Sequence, residues 1–142
     1  MKASARNQFT GTVKDVIVGA VNAEVHIALK GGEIIAATVT KESVDELGIK
    51  SGMEVIAMVK APQVIIVTDF GGYKLSARNQ LPGTITAVKP GAVNSEIDIE
   101  LKGGDKLAAT ITNDSVETLG LSKGQAATAV FKAGAVILAV GG

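Results

Sequence analysis

Val21-Asn22-Ala23-Glu24-Val25-His26-Ile27-Ala28-Leu29-Lys30-Gly31-Gly32-Glu33 decides the fold. Apolar residues take alternate positions from Val21 to Leu29, and the intervening face is mostly polar. That period of two belongs to a strand with one buried face. Lys30-Gly31-Gly32-Glu33 then reads as a hairpin turn, because paired glycines accept the positive φ of tight hairpins. The return strand is Ile34 to Thr40. Val93 to Leu101, Lys102-Gly103-Gly104-Asp105 and Lys106 to Thr112 repeat the pattern, with Asn94, Glu96, Asp98 and Glu100 facing outward.

The repeat extends along the chain at an offset of 72 residues. Ser4-Ala5-Arg6-Asn7-Gln8 returns as Ser76-Ala77-Arg78-Asn79-Gln80, and Lys60-Ala61 as Lys132-Ala133. Between residues 4–68 and 76–140, 32 of 65 positions are identical, so each candidate functional residue can be tested against its copy. A short helix is expected after Thr40 and Thr112 as N-caps, ending at Gly48 and Gly120. Strands over Val55–Lys60, Val64–Thr68, Ala127–Lys132 and Val136–Val140 close each unit. The fold class expected is mainly β: two tandem OB-like barrels, each of about five strands with one short helix. Residues 1–68 form the first domain, 69–74 a linker and 75–142 the second.

Units of this size have marginal cores, so the copies are expected to pack together, to oligomerise, or both. The 46% apolar content contains only four aromatic residues, and such surplus aliphatic surface points to subunit contacts. The chain has no cysteine, which excludes disulfides, thiolate metal sites and cysteine nucleophiles. With no apolar core behind the N-terminal lysine and no run long enough to span a bilayer, a cytoplasmic protein without membrane contact is expected.

Charge placement is the functional clue. The only two arginines, Arg6 and Arg78, both lie in the duplicated Ser-Ala-Arg-Asn segment. A guanidinium is a planar fork of donors suited to an oxyanion. Ser4 and Ser76 stand two residues earlier and so share its face in an extended chain. The competing reading is a structural ion pair between subunits, and the sequence leaves both open. Lys60 and Lys132 recur between aliphatic strands, where an unpartnered lysine would be costly. Gly19-Ala20-Val21-Asn22, copied as Gly91-Ala92-Val93-Asn94, is either a turn into a strand or a nest of N–H groups for an anion. His26 has Asp98 as its copy and is expected to be an exposed strand residue. Glu24 and Glu96 recur without a second ligand beside them. No metal-ligand cluster, phosphate loop or nucleophile–base pair is present, so an enzyme is not expected.

These motifs resemble the molbindins, small proteins of Mop domains that bind molybdate and tungstate, and the tandem two-Mop form above all. The motifs are Ser4-Ala5-Arg6-Asn7, Gly19-Ala20-Val21-Asn22-Ala23-Glu24-Val25 and Lys60-Ala61, each with its copy, and the likeness covers essentially the whole chain. The resemblance implies a homotrimer of two-domain chains with oxyanions held between domains. One class of site would use Ser4, Arg6, Lys60 and Ala61, with Ser76, Arg78, Lys132 and Ala133, the Lys-Ala coming from a neighbouring unit. The other class, near the threefold axis, would use Ala20, Val21 and Asn22, with Ala92, Val93 and Asn94. Pro62 after Ala61, against Gly134 after Ala133, predicts different backbones beside the two lysines. The ligand implied is molybdate or tungstate, for intracellular storage, buffering or homeostasis, with no catalytic cofactor.

Two rivals remain. An OB module for nucleic acid would show a basic face and stacking aromatics, which zero net charge and four aromatic residues oppose. A purely structural oligomerisation domain would use Arg6 and Arg78 as interface ion pairs.

Overall fold

The computed structural model describes residues 1–141. The first repeat forms β1 (Asn7–Val18), β2 (Asn22–Ala28), β3 (Ile34–Thr40), α1 (Lys41–Leu47), β4 (Glu54–Val59) and β5 (Ile65–Val67). The second forms β6 (Asn79–Pro90), β7 (Asn94–Leu101), β8 (Lys106–Thr112), α2 (Asn113–Leu119), β9 (Ala126–Phe131) and β10 (Ile137–Val140). The period of two is realised as expected: Ala23, Val25 and Ile27 of β2 are buried, as are Ile97 and Ile99 of β7. Thr40 Oγ1 accepts the Ser43 N–H at 3.0 Å and Thr112 Oγ1 that of Ser115 at 3.1 Å, which caps both helices. Gly48 and Gly120 end them in the left-handed region, at φ 64° and 61°.

The strands make two five-stranded sheets, ordered β10-β4-β1-β2-β3 and β5-β9-β6-β7-β8. Each sheet therefore takes four strands from one repeat and the last strand from the other. Ile137 to Val140 pair antiparallel with Met58 to Val55, and Ile65 to Val67 with Val130 to Thr128. The turns Ala61–Gln63 and Ala133–Ala135 are where the chain crosses over. One continuous apolar cluster runs through both halves, from Phe9, Val25 and Ile35 to Ile85, Ile99 and Phe131. Sharing strands and core in this way answers the small-unit problem within a single chain. Among the described residues no helix is long and apolar enough to cross a membrane.

The two Gly-Gly turns differ from expectation in one respect. Only the second glycine of each takes positive φ, Gly32 at 89° and Gly104 at 91°. Gly31 and Gly103 serve close approach instead: a Cβ on Gly31 would stand 2.5 Å from Gly103 Cα and 2.6 Å from its nitrogen. The two hairpin tips thus touch backbone to backbone at the junction of the halves. Gly103→Ala is expected to lower stability by about 1–3 kcal/mol, the cost of overpacking a tight contact. Gly134→Ala, which meets nothing within 4 Å, is the matched control. Thermal unfolding of both variants checks this, and equal melting temperatures would refute it.

Candidate oxyanion sites

The ladders between β1 and β4 and between β6 and β9 end at Asn7 opposite Val59 and at Asn79 opposite Phe131. Arg6 and Lys60 therefore leave the same end of one strand pair, and Arg78 and Lys132 the same end of the other. Lys60 and Lys132 are exposed, not enclosed by strands, and neither makes an ion pair among the described residues. The burial cost expected for them does not arise, because each lysine stands where the chain has already left its strand. Ala61 and Ala133 are buried at the start of the crossover turns. Pro62 and Gly134 leave the lysine backbones alike, with φ, ψ of −73°, 138° at Lys60 and −71°, 144° at Lys132. The expected backbone difference is absent, because proline at the start of a 3₁₀ turn has the φ that the turn already needs.

A cleft of about 380 Å³ brings Ser76 and Lys132 together with Gln63 and Ile65. The second-half motif thus lies on the seam where β5 of the first repeat joins the second sheet. The Gly-Ala-Val-Asn turns lie elsewhere, at the far ends of β1 and β6. There the Gly19 N–H donates to the Asn22 carbonyl at 2.8 Å, and the Lys41 N–H to the Val21 carbonyl at 2.9 Å. Gly91–Asn94 and Asn113–Val93 repeat these bonds. No residue in either turn has positive φ, and the leading glycine N–H is already bonded, which weakens the nest reading. Ala20, Val21, Asn22, Ala92, Val93 and Asn94 are all exposed, with the two valines the most accessible aliphatic side chains of the turns.

Each arginine reaches across to the opposite half. An Arg6 Nη1 donor lies 2.6 Å from Glu96 Oε1, while Arg78 grips Glu24 through two contacts of 2.7 and 3.1 Å. The ion-pair reading is thus realised, but inside one chain. The guanidinium side chains remain 61% and 58% exposed, so both are also open to solute. Glu24 and Glu96 were not among the candidates. The signal was there: they are the only acidic residues kept identical at the 72-residue offset, as the arginines are the only basic forks.

Behind each glutamate stands a second polar side chain. Lys89 lies 3.0 Å from Asp98 and 3.4 Å from Glu96, and these carboxylates, Asp98 foremost, raise its ammonium above the ordinary lysine range. His26 sits between Asp15 and Glu24, at 2.5 Å from each. Its side chain is 19% exposed, not the open strand residue expected, because β1 and β2 set Asp15 directly opposite it. Among the described residues no group of three or more His, Cys, Asp or Glu could hold a metal ion.

The asparagines of the motif have a different task. Asn7 Nδ2 donates to the Ala108 carbonyl at 2.8 Å and its Oδ1 accepts the Ala108 N–H at 2.7 Å. Asn79 makes the same pair with Ala36, both at 2.8 Å. Each side-chain amide stands in for a neighbouring strand on β8 or β3, the outer strand of the other half's sheet.

A TOBE domain model matches residues 3–66 and 75–138. The chain belongs to the TOBE-domain family. Both TOBE repeats align with molybdenum proteins over nearly their full extent. The chain is 45% identical over 140 residues to the molybdenum transport protein ModE of Herbaspirillum seropedicae, covering 99% of this chain and 52% of that one. It is 42% identical over 140 residues to the molybdenum-pterin-binding protein MopA of Rhodobacter capsulatus, covering 99% of this chain and 53% of that one. This TOBE pair spans about half the length of the curated relatives it matches. It superposes on the cytoplasmic molybdate-binding protein ModG, crystallised with molybdate bound, with a TM-score of 0.97 and 51% identity. That match covers 99% of this chain and 100% of ModG.

Proposed function

We propose that this TOBE pair binds molybdate, and tungstate with it, as a non-enzymatic cytoplasmic reservoir. The observation that carries the reading is its full-length likeness to ModG, which holds molybdate. The ligand groups are Ser4, Arg6, Lys60 and Ala61 of the first repeat and Ser76, Arg78, Lys132 and Ala133 of the second, each grip joining the Ser-Arg of one unit to the Lys-Ala of its neighbour. Ala20–Asn22 and Ala92–Asn94 form further sites where chains meet around a threefold axis, and the exposed Val21 and Val93 favour a contact there. The working units are domains 1–68 and 75–142, joined by 69–74, and the assembly is a homotrimer.

Molybdate is a dianion at neutral pH, which one guanidinium and one ammonium balance. The serine hydroxyl and backbone N–H groups add directed donors without further charge. The ModE relatives include a DNA-binding regulator, but they extend well beyond the matched region, and this chain carries no net charge to attract nucleic acid. Metal analysis of protein purified from molybdate-supplemented cells, alongside its mass in solution, tests the reading. Molybdenum retained on a species of three chains is expected. Protein that takes up no molybdate saturably defeats it.

A further inference from the structure

We infer that Glu24 and Glu96 are built-in competitors for the oxyanion, each occupying the guanidinium of the other half's grip until a dianion displaces it. The inference rests on the reading of Arg6 and Arg78 as ligand groups. A carboxylate and a tetraoxo anion use the same donor face of an arginine, so the two cannot fill it together. In this structure that face is held by Glu96 on Arg6 and by both oxygens of Glu24 on Arg78.

The pairs are arranged for exchange. The arginine side chains are more than half exposed, whereas the Glu96 and Glu24 side chains are 17% and 22% exposed. An exposed ion pair is weak, so a dianion that also engages lysine and serine can take the arginine away. The glutamate left behind is not stranded: Glu96 keeps Lys89, and Glu24 keeps His26. A monovalent anion gains less Coulomb energy from the same site and does not displace the carboxylate. The glutamates thereby bias both grips towards doubly charged ligands. Because each carboxylate belongs to the opposite repeat, filling a grip also releases a tie between the halves.

The two grips are not equal. Arg78 has two contacts to its glutamate and Arg6 has one, to a glutamate already shared with Lys89. The Arg6 grip is the easier to open and fills first.

Isothermal titration of molybdate into wild type, Glu24→Gln, Glu96→Gln and Lys89→Met tests this, with melting temperature and mass in solution measured on each. Removing one negative charge at a few ångströms is expected to tighten binding at the affected grip by about tenfold, more in Glu24→Gln than in Glu96→Gln. Inhibition by chloride should rise in the same variants. Lys89→Met, which leaves Glu96 wholly to Arg6, is expected to act in the opposite direction and weaken that grip. Folded glutamine variants with unchanged or weaker affinity overturn the inference while leaving the molybdate reading intact. If neither wild type nor variants bind, both fall. Binding by the glutamine variants alone would show the competitor at full strength.

Discussion

Arg6→Ala with Arg78→Ala is expected to weaken molybdate binding by about 100-fold or more at the Ser-Arg-Lys sites, while leaving the fold intact. A charge-assisted hydrogen bond contributes about 1.5–3 kcal/mol, and each guanidinium offers two such bonds to a tetraoxo anion. The ion pairs lost at the same time are largely exposed and contribute about 0–1 kcal/mol each. Affinity and stability should therefore separate: the dissociation constant rises steeply and the melting temperature hardly moves. Arg→Lys at both positions keeps the charge but not the fork, and should fall between. Calorimetric titration with parallel thermal unfolding checks this. A double variant that loses stability and retains molybdate would make the arginines structural ties and nothing more.

The opposite separation is expected at the next residue. Asn79→Ala leaves both the N–H and the carbonyl of Ala36 without a partner in a position where Asn79 itself is 1% exposed. An unsatisfied buried polar group costs about 1–3 kcal/mol, so losing both partners should cost about 2–6 kcal/mol. Asn7→Ala does the same to Ala108. Domains have only about 5–15 kcal/mol of stability, so the double variant is expected not to fold. Asn79→Asp should be no better than alanine, since it keeps the acceptor, loses the donor and buries a charge. Denaturant midpoints measure all three. A loss below about 1 kcal/mol for Asn79→Ala would mean that water replaces the amide.

Arg and Asn thus lie side by side in one repeated motif, and the sequence does not separate their roles. Both are kept at the same offset, and conservation between copies marks importance without its kind. What separates them is burial and partner, and neither partner is near in sequence. The strand period, the threonine caps and the glycine C-caps were legible because each is set within a few residues. His26 was misplaced because its neighbour Asp15 lies on another strand and has no acidic copy in the second half.

The exchange of last strands was invisible for a more basic reason. Val64-Ile65 and Val136-Ile137 are the same residues at the same offset, so hydrophobic pattern fits either strand to either sheet. What decides is the crossover turn: Ala61–Gln63 packs against β8, and Ala133–Ala135 against β3. The Gly31–Gly103 contact and the two asparagine bridges fix the halves in the arrangement that makes those crossings short.

The order in which the chain is made meets this architecture awkwardly. The first repeat is synthesised before the second, yet the sheet begun by β1 receives its outer strand, β10, only after every other strand of the second repeat has emerged. Until then the β4 edge at Val55 to Met58 is bare, and before β9 emerges β5 has nothing to pair with. A nascent first repeat is therefore unfinished until the second repeat has been made, and a neighbouring nascent chain presents the same complementary edge and strand. Once β9 and β10 are out, the chain completes both sheets in quick succession, and its own closeness is what favours its own strand over a neighbour's.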